Sequence, residues 1–366
     1  MDVAKATIAQ GDVRPRDTVG VELEDFAGTG QYSPFQTSQT TAWYERTWER
    51  AGKRKARVDA ARSEAGVTAQ RARLRMLDRF AEVQSAWVEA LAAQAAVGIA
   101  DQRLAAAQRS ASEVDRRVGR ALDPLFAGER ARTAVAEARI ARDQARRQAE
   151  IARANLAAWW GGDSNFELEA GVLSDMTLAS DAGEAPDIAL LLAEGQSAEA
   201  RVRLSETGNV GDPTGRVGLR HFGQGNDFAI MVGGSIPLGN RAANRSNVDR
   251  ARAEQTAVEA EVAVLRLERR REVDRLAAEQ SLLATEIGRI DREVLPSAER
   301  AIVLVRDGFA RGGTAFTFLE INQAQQVLID ARFRRLDLLR RFHLAGVRLD
   351  RLTGRHLPLL ASEETR

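Results

Sequence analysis

Residues 51–118 contain no proline and little glycine, and Ala, Arg, Glu, Leu and Gln prevail. Apolar or small residues recur at Met76, Phe80, Val83, Trp87, Ala90, Ala93, Val97, Ala100 and Leu104. That 3-4 spacing lays them along one helical stripe over several heptads. About 60 residues of helix extend roughly 90 Å. A globular domain has no use for so long a rod, whereas a coiled coil or a tube does. The helix is expected to stop near Gly119, and Asp123-Pro124 opens a second helical run that reaches Trp160 and ends at Gly161-Gly162. Residues 163–184 read as a polar connection and 186–205 as a shorter helix.

Strand-like stretches punctuate these rods. TVGVELEDF at 18–26 sets Val19, Val21 and Leu23 on one face and Gly20, Glu22 and Glu24 on the other, which is strand period. A turn-rich stretch at 27–39 leads to TTAWYERTWE at 40–49, and the two make a hairpin with a long loop. The pattern then restarts. TGRVGLRHF at 214–222 carries Val217, Leu219 and His221 on one face, and GQGN at 223–226 signals a tight turn. DFAIMVGGSIPLG at 227–239 alternates Phe228, Ile230, Val232 and Ile236 with Ala229, Met231, Gly233 and Ser235. A long helix is expected over 242–294, broken at Leu295-Pro296. A turn at 308–313 and a last helix to Thr353-Gly354 follow.

The halves look like copies of one unit. VDAARSE at 58–64 answers VDRARAE at 248–254, Gly119 answers Gly312, Gly161 answers Gly354, and Val19-Gly20-Val21 answers Val217-Gly218-Leu219. The expected organisation is a first repeat at 1–205 (a helix remnant, the hairpin 18–49, helices 51–160 and 186–205). A second repeat occupies 206–355 (the hairpin 214–238, helices 242–353), and 356–366 form a C-terminal tail. A two-stranded hairpin is unstable alone and leaves open edges. Four strands cannot close a barrel, but several chains contributing four each can. The alternation of the fourth strand suits a lipid-facing barrel with a wet lumen.

The chain has 53 Lys and Arg against 52 Asp and Glu, a net charge of +1. Such balance does not make a phosphate-seeking protein, so no nucleic-acid partner is expected. It suits long helices with both signs interleaved on their wet faces. Zero cysteines exclude disulfides, thiolate metal sites and Cys nucleophiles. His221, His343 and His356 are the only histidines, without a neighbouring carboxylate or histidine at ligand spacing, so no metal site and no cofactor is expected. No phosphate loop, nucleophile elbow or HExxH occurs, and the chain is not expected to be an enzyme. A mean hydropathy of −0.33 with no apolar run near 18 residues excludes transmembrane helices but not a transmembrane β-barrel. Residues 1–17 lack the pattern of a signal peptide, and 3–10 read as the tail of a helix broken by Gly11 and Pro15, so a truncated start is expected.

From about Gly11 to Gly354 the sequence resembles the TolC-like outer-membrane factors of tripartite efflux systems, and within them the CzcC/CusC-type channels of heavy-metal pumps. The resemblance is carried by the repeat, Ser235-Ile236-Pro237-Leu238, AGKRKAR at 51–57, LAAWWG at 156–161, LPSAERA at 295–301, GFARGGTAFTFLEINQAQ at 308–325 and RLTG at 351–354. It implies a mostly α member of the α+β class. Long antiparallel coiled-coil helices would form a trimeric α-barrel through the periplasm, and four strands per chain would contribute to a shared twelve-stranded barrel in the outer membrane. It further implies a homotrimer, contact with outer-membrane lipid, a periplasmic adaptor (membrane fusion) protein at the far tip of the tube, and an inner-membrane RND pump that supplies the energy.

On that basis Val118, Gly119, Arg120, Arg311, Gly312, Thr314 and Phe316 are the candidate tip and adaptor contacts; at Gly119 and Gly312 an ordinary turn with positive φ serves equally. Glu320 matches an acid of the family at the periplasmic entrance, and Gln323 stands where some members carry a second. The two are candidate lumenal gate residues, with a plain solvated helix carboxylate as the other reading of Glu320. Trp43, Tyr44, Trp48 and Phe222 are candidate membrane-interface aromatics or ordinary strand packing. A soluble coiled-coil scaffold or adaptor-like interaction protein is the alternative function; it accounts for the helices but not for the paired hairpins.

Overall fold

The computed structural model describes residues 2–27, 30, 37–177, 185–311 and 317–358. Its elements run α1 (Asp2–Gly11), β1 (Thr18–Glu24), β2 (Gln39–Thr47), α2 (Lys53–Gly119), α3 (Leu125–Ala157), a 3-10 turn (Ala170–Ser174), α4 (Pro186–Thr207), β3 (Thr214–Phe222), β4 (Phe228–Ser235), α5 (Asn240–Arg289), a π-helical turn (Ile290–Val294), α6 (Leu295–Ala310) and α7 (Phe318–Thr353). The chain divides into two compact units, residues 1–74 with 186–267, and residues 75–185 with 268–366. Each unit draws on both halves of the sequence. The halves are therefore not separate lobes.

In the first unit the four strands form one antiparallel sheet in the order β1-β2-β3-β4. Val19, Tyr44, Val217 and Val232 stand in one row, and Val21, Ala42, Leu219 and Ile230 in the next. Paired residues point to the same side of a sheet, so these two rows build one continuous apolar face. It is uncovered: Ile230 is 77% and Val232 83% exposed. The opposite face carries Glu45 beside Arg216 and Thr41 beside Arg220. The alternation expected of β1, β3 and β4 thus holds, β2 joins it less cleanly, with Trp43 on the charged side and Arg46 on the apolar one, and the register adds the four strands up into a two-sided wall.

In the second unit the helices bury a core of Val88 and Leu91 from α2, Leu283 and Ile287 from α5, and Leu339 and Phe342 from α7. The buried stripe of α2 matches the expected one only in part. Ala90, Ala100 and Leu104 are buried as expected, but so are Leu77, Val88 and Leu91, whereas Met76 and Trp87 are exposed. Alanine on several sides of this helix leaves no single apolar face for the period to mark.

Two turns also differ from expectation. Pro296 does not break the helix. The backbone widens instead into the π-helical turn, in which the Leu295 N–H reaches the Ile290 carbonyl five residues back, and Pro296 then sits in the first turn of α6 where no N–H is needed. At the α2–α3 turn the left-handed residue is Ala121, at φ 55°, not Gly119, which remains helical. Leu122 N–H bonds the Arg117 carbonyl (2.9 Å) and Ala121 N–H the Val118 carbonyl (2.9 Å). That is a Schellman closure with alanine where glycine is favoured.

The Trp43 indole lies across the polar sheet face. A Cβ at Gly20 would collide with it, and the Arg216 guanidinium stacks on its ring at 4.0 Å. Gly20→Val should therefore displace the indole and destabilise the sheet by about 1–3 kcal/mol. The check is a lower midpoint of thermal unfolding, with Val19→Ile on the open face leaving it unchanged.

Candidate functional site

Three features stand out: the two-faced sheet, the junction where strands give way to helices, and, in the second unit, the helix ends around the α2–α3 turn. At the junction, Ala51 and Gly52 take positive φ (55° and 70°) and turn the chain from β2 into α2. The basic run that follows ties down three other segments. Lys53 Nζ donates to the Val210 carbonyl and pairs with Asp212, both at 2.7 Å. Arg54 grips Asp12 through two bonds of 2.8 and 2.7 Å. Arg57 pairs with Glu49 and donates to the carbonyls of Gly11 and Val13. Burial pushes the Asp212 carboxyl up, but Lys53 and the Arg50 N–H outweigh it and hold it below the usual carboxylate range. The motif AGKRKAR is thus a clasp around the base of the sheet.

At the helix ends, Arg117 is the central residue. Its guanidinium forks onto Asp123 across the turn (2.8 and 3.2 Å), donates to the Phe309 carbonyl (2.8 Å) and stacks on the Phe309 ring at 4.2 Å. The side chain is only 12% exposed. Phe309 itself is buried with Val114, Ala131, Phe318 and Ile321. Arg117 therefore locks the α2–α3 turn to the end of α6. Nothing in the sequence marks it, because it is one arginine among 50 and Phe309, which it joins to the turn, lies 192 residues away.

Of the expected tip residues, Val118 packs at the edge of the same cluster. Gly119 and Arg120 are exposed, and Arg311 closes α6 with its guanidinium near Asp307 at 4.0 Å. Gly312, Thr314 and Phe316 lie outside the described residues. Glu320 is committed to its own helix. Its carboxylate accepts from the Thr317 N–H (2.8 Å) and from the Thr317 hydroxyl, while that hydroxyl accepts from the Leu319 N–H (3.2 Å). This is a capping box at the start of α7. The Thr317 hydroxyl, then the N–H groups of Glu320 and Thr317, hold the Glu320 carboxyl below its usual range. Gln323 is exposed one turn further on.

The four expected aromatics separate. Tyr44 belongs to the apolar rows, and Trp48 packs over Gly215, which pairs with Arg46 two positions from Tyr44 on the same side. Trp43 and Phe222 stand in rows of the polar face. The histidines are engaged locally: His221 with Asn226 (2.7 Å), His343 with the Leu173 carbonyl (2.9 Å) and His356 with Gln84 (3.3 Å). Among the described residues no group of three or more His, Asp or Glu could hold a metal ion, and no helix is long and apolar enough to cross a membrane.

No family model matches the chain. It is 27% identical over 364 residues to the cobalt-zinc-cadmium resistance protein CzcC of Cupriavidus metallidurans, covering 97% of this chain and 85% of that protein. Among solved structures it shares its fold with the outer membrane protein VceC of Vibrio cholerae (TM-score 0.74, 18% identity, 96% of this chain and 90% of that one). It shares it also with CusC, whose structures concern transmembrane channel formation (0.75, 18%, 95% and 86%), and with the outer membrane channel MtrE of Neisseria gonorrhoeae (0.68, 17%, 96% and 84%). The chain therefore resembles outer-membrane channels of the TolC-like kind along nearly all of its length.

Two outcomes are expected. Arg117→Lys keeps the charge but loses the fork, and should destabilise the helix ends by about 1–3 kcal/mol, read as faster hydrogen exchange at residues 117–123 than in the parent. The cap at Glu320 has a depressed pKa, so its contribution is present above the ordinary carboxylate value and is lost as pH falls through the folded one. Thermal midpoints measured from pH 7 to pH 3 should show a loss that Glu320→Gln lacks, and Thr317→Ala should cost about 1 kcal/mol at neutral pH.

Proposed function

We propose that the chain is the channel subunit of a tripartite efflux system, a passive conduit that carries substrate across the periplasm and the outer membrane. The observation that carries this reading is the sheet. One face is apolar and uncovered, the other is charged, and the outer edges of β1 and β4 pair with no other described strand. A soluble protein covers such a face or blunts such edges. Lipid against the apolar face and a neighbouring copy at each edge satisfy both at once. A soluble coiled-coil scaffold leaves the face in water.

Three copies would supply twelve strands, with the apolar rows outward and the rows of Glu45 and Arg216 lining a wet lumen. In this reading the two hairpins are equivalent halves of a repeated unit, and the clasp of Lys53, Arg54 and Arg57 fixes the strands to the helices at the membrane's inner boundary. The helices, long and clothed in both charge signs, continue the conduit as a periplasmic tube. Its end is formed by the turn that Arg117 locks to α6. Val118, Gly119, Arg120 and Arg311, with Gly312, Thr314 and Phe316, are the surface for a periplasmic adaptor, which would connect the tube to an inner-membrane RND pump. Heavy-metal cations as substrate follow from the likeness to CzcC.

Expressed behind an export leader, the chain should be released from membranes only by detergent and run as a trimer that conducts ions in planar bilayers. A soluble monomer or dimer would sink the proposal. Ile230→Arg on the apolar face should cost about 2–4 kcal/mol of membrane-inserted stability and lower the folded yield. Ala229→Asn, one residue away on the polar face, should leave that yield intact.

A further inference from the structure

The polar face of the sheet carries three acids, Glu22, Glu24 and Glu45, and two arginines, Arg216 and Arg220. Both arginines are already neutralised. Arg216 pairs with Glu45 at 3.1 Å and stacks on Trp43. Arg220 shares a row with Glu22 through Thr41, yet its guanidinium turns elsewhere: to Glu24 at 2.6 Å, to the Thr41 hydroxyl at 2.9 Å and to the Gln39 side-chain carbonyl at 2.9 Å. The Glu22 side chain is exposed and stands outside this network. It is the uncompensated charge of the wall.

Its position on β1 makes the same point from the other side. β1 is an edge strand, so in a closed barrel Glu22 would lie beside the β4 of the next copy. The residues that β4 presents on the polar face are Ala229, Met231 and Gly233, with Ser235 at its end. None is charged. The neighbour that closes the barrel therefore brings no cation to cancel Glu22.

We infer that Glu22 sets the charge preference of the barrel: one carboxylate per chain, repeated by symmetry, favours cations in the lumen and disfavours anions. The inference rests on the channel reading above and names the substrate class that the barrel itself admits. Fixed charges in a pore act on permeating ions through their Coulomb field, which narrows with salt as the screening length shortens. A unit charge some 8 Å from an ion in water is worth about a factor of two to three in local concentration. Preference for cations should accordingly be modest, strongest at low salt, and removable at a single position.

The test is the reversal potential of the purified trimer in a planar bilayer under a KCl gradient. The parent should pass potassium over chloride, more so at 0.05 M than at 1 M, roughly. The field that raises potassium lowers chloride by the same factor, so Glu22→Gln should bring the potassium-to-chloride ratio down about four- to ninefold, toward unity, and Glu22→Asp should keep it. An unchanged ratio in Glu22→Gln, with conductance intact, overturns the role of Glu22 while leaving the channel standing. If Glu22→Gln does not assemble, the parent decides: a ratio at or below one overturns the inference, and a ratio above one that Glu22→Asp retains supports it. A parent trimer without conductance removes the channel reading, and this inference with it.

Discussion

The pairing of β2 with β3 holds the molecule's plan together. Nine positions, Gln39 to Thr47 against Phe222 to Thr214, join segments separated by the whole of α2, α3 and α4. A strand's side chains alternate with period two, so a slip of one residue here would turn every side chain of the second hairpin to the wrong side. With the observed register, Tyr44 meets Val217 and Glu45 meets Arg216. Apolar residues then accumulate on one face and ion pairs on the other. The sheet's two environments are thus a consequence of one long-range alignment.

The helices solve a different problem. The chain as a whole has 29% charged residues of balanced sign, and most of the ion pairs on the helices sit at the surface, where each contributes about 0–1 kcal/mol. Such pairs keep a long rod soluble without fixing its shape. Other side chains tie turns and strand ends to distant segments. Lys53, Arg54 and Arg57 do this at the sheet's base. Arg117 does it at the α2–α3 turn, stacked on a ring that is 1% exposed.

Much of this is legible in the sequence because it is periodic. Val19, Val21 and Leu23 announce a strand, and the proline-free run to Gly119 announces a rod; the structure has both. What escapes is whatever lacks a period. The stripe of α2 is blurred because alanine packs equally well on every side, so Leu77 and Val88 are buried in place of Met76 and Trp87. Pro296 looks like a break because a proline's cost is local, and only the widened turn before it shows the accommodation. The Thr317-Phe318-Leu319-Glu320 spacing is itself a capping box, and the carboxylate caps the start of α7. Arg117 and Phe309 meet only through the fold.

In the proposed channel, the capping role of Glu320 bears on where a charge preference would reside. A carboxylate that accepts two bonds from Thr317 has part of its charge spread into the start of a helix, whose N-terminal N–H groups already favour an anion. Its field on a passing ion is weaker than that of a side chain in open water. Glu22 has no such partner among the described residues, and the strand that would close the barrel against it is uncharged on that side. In a chain whose acids and bases nearly cancel, the number of charges says little about what passes. The position that cancellation misses says more, and in the sheet that position is Glu22.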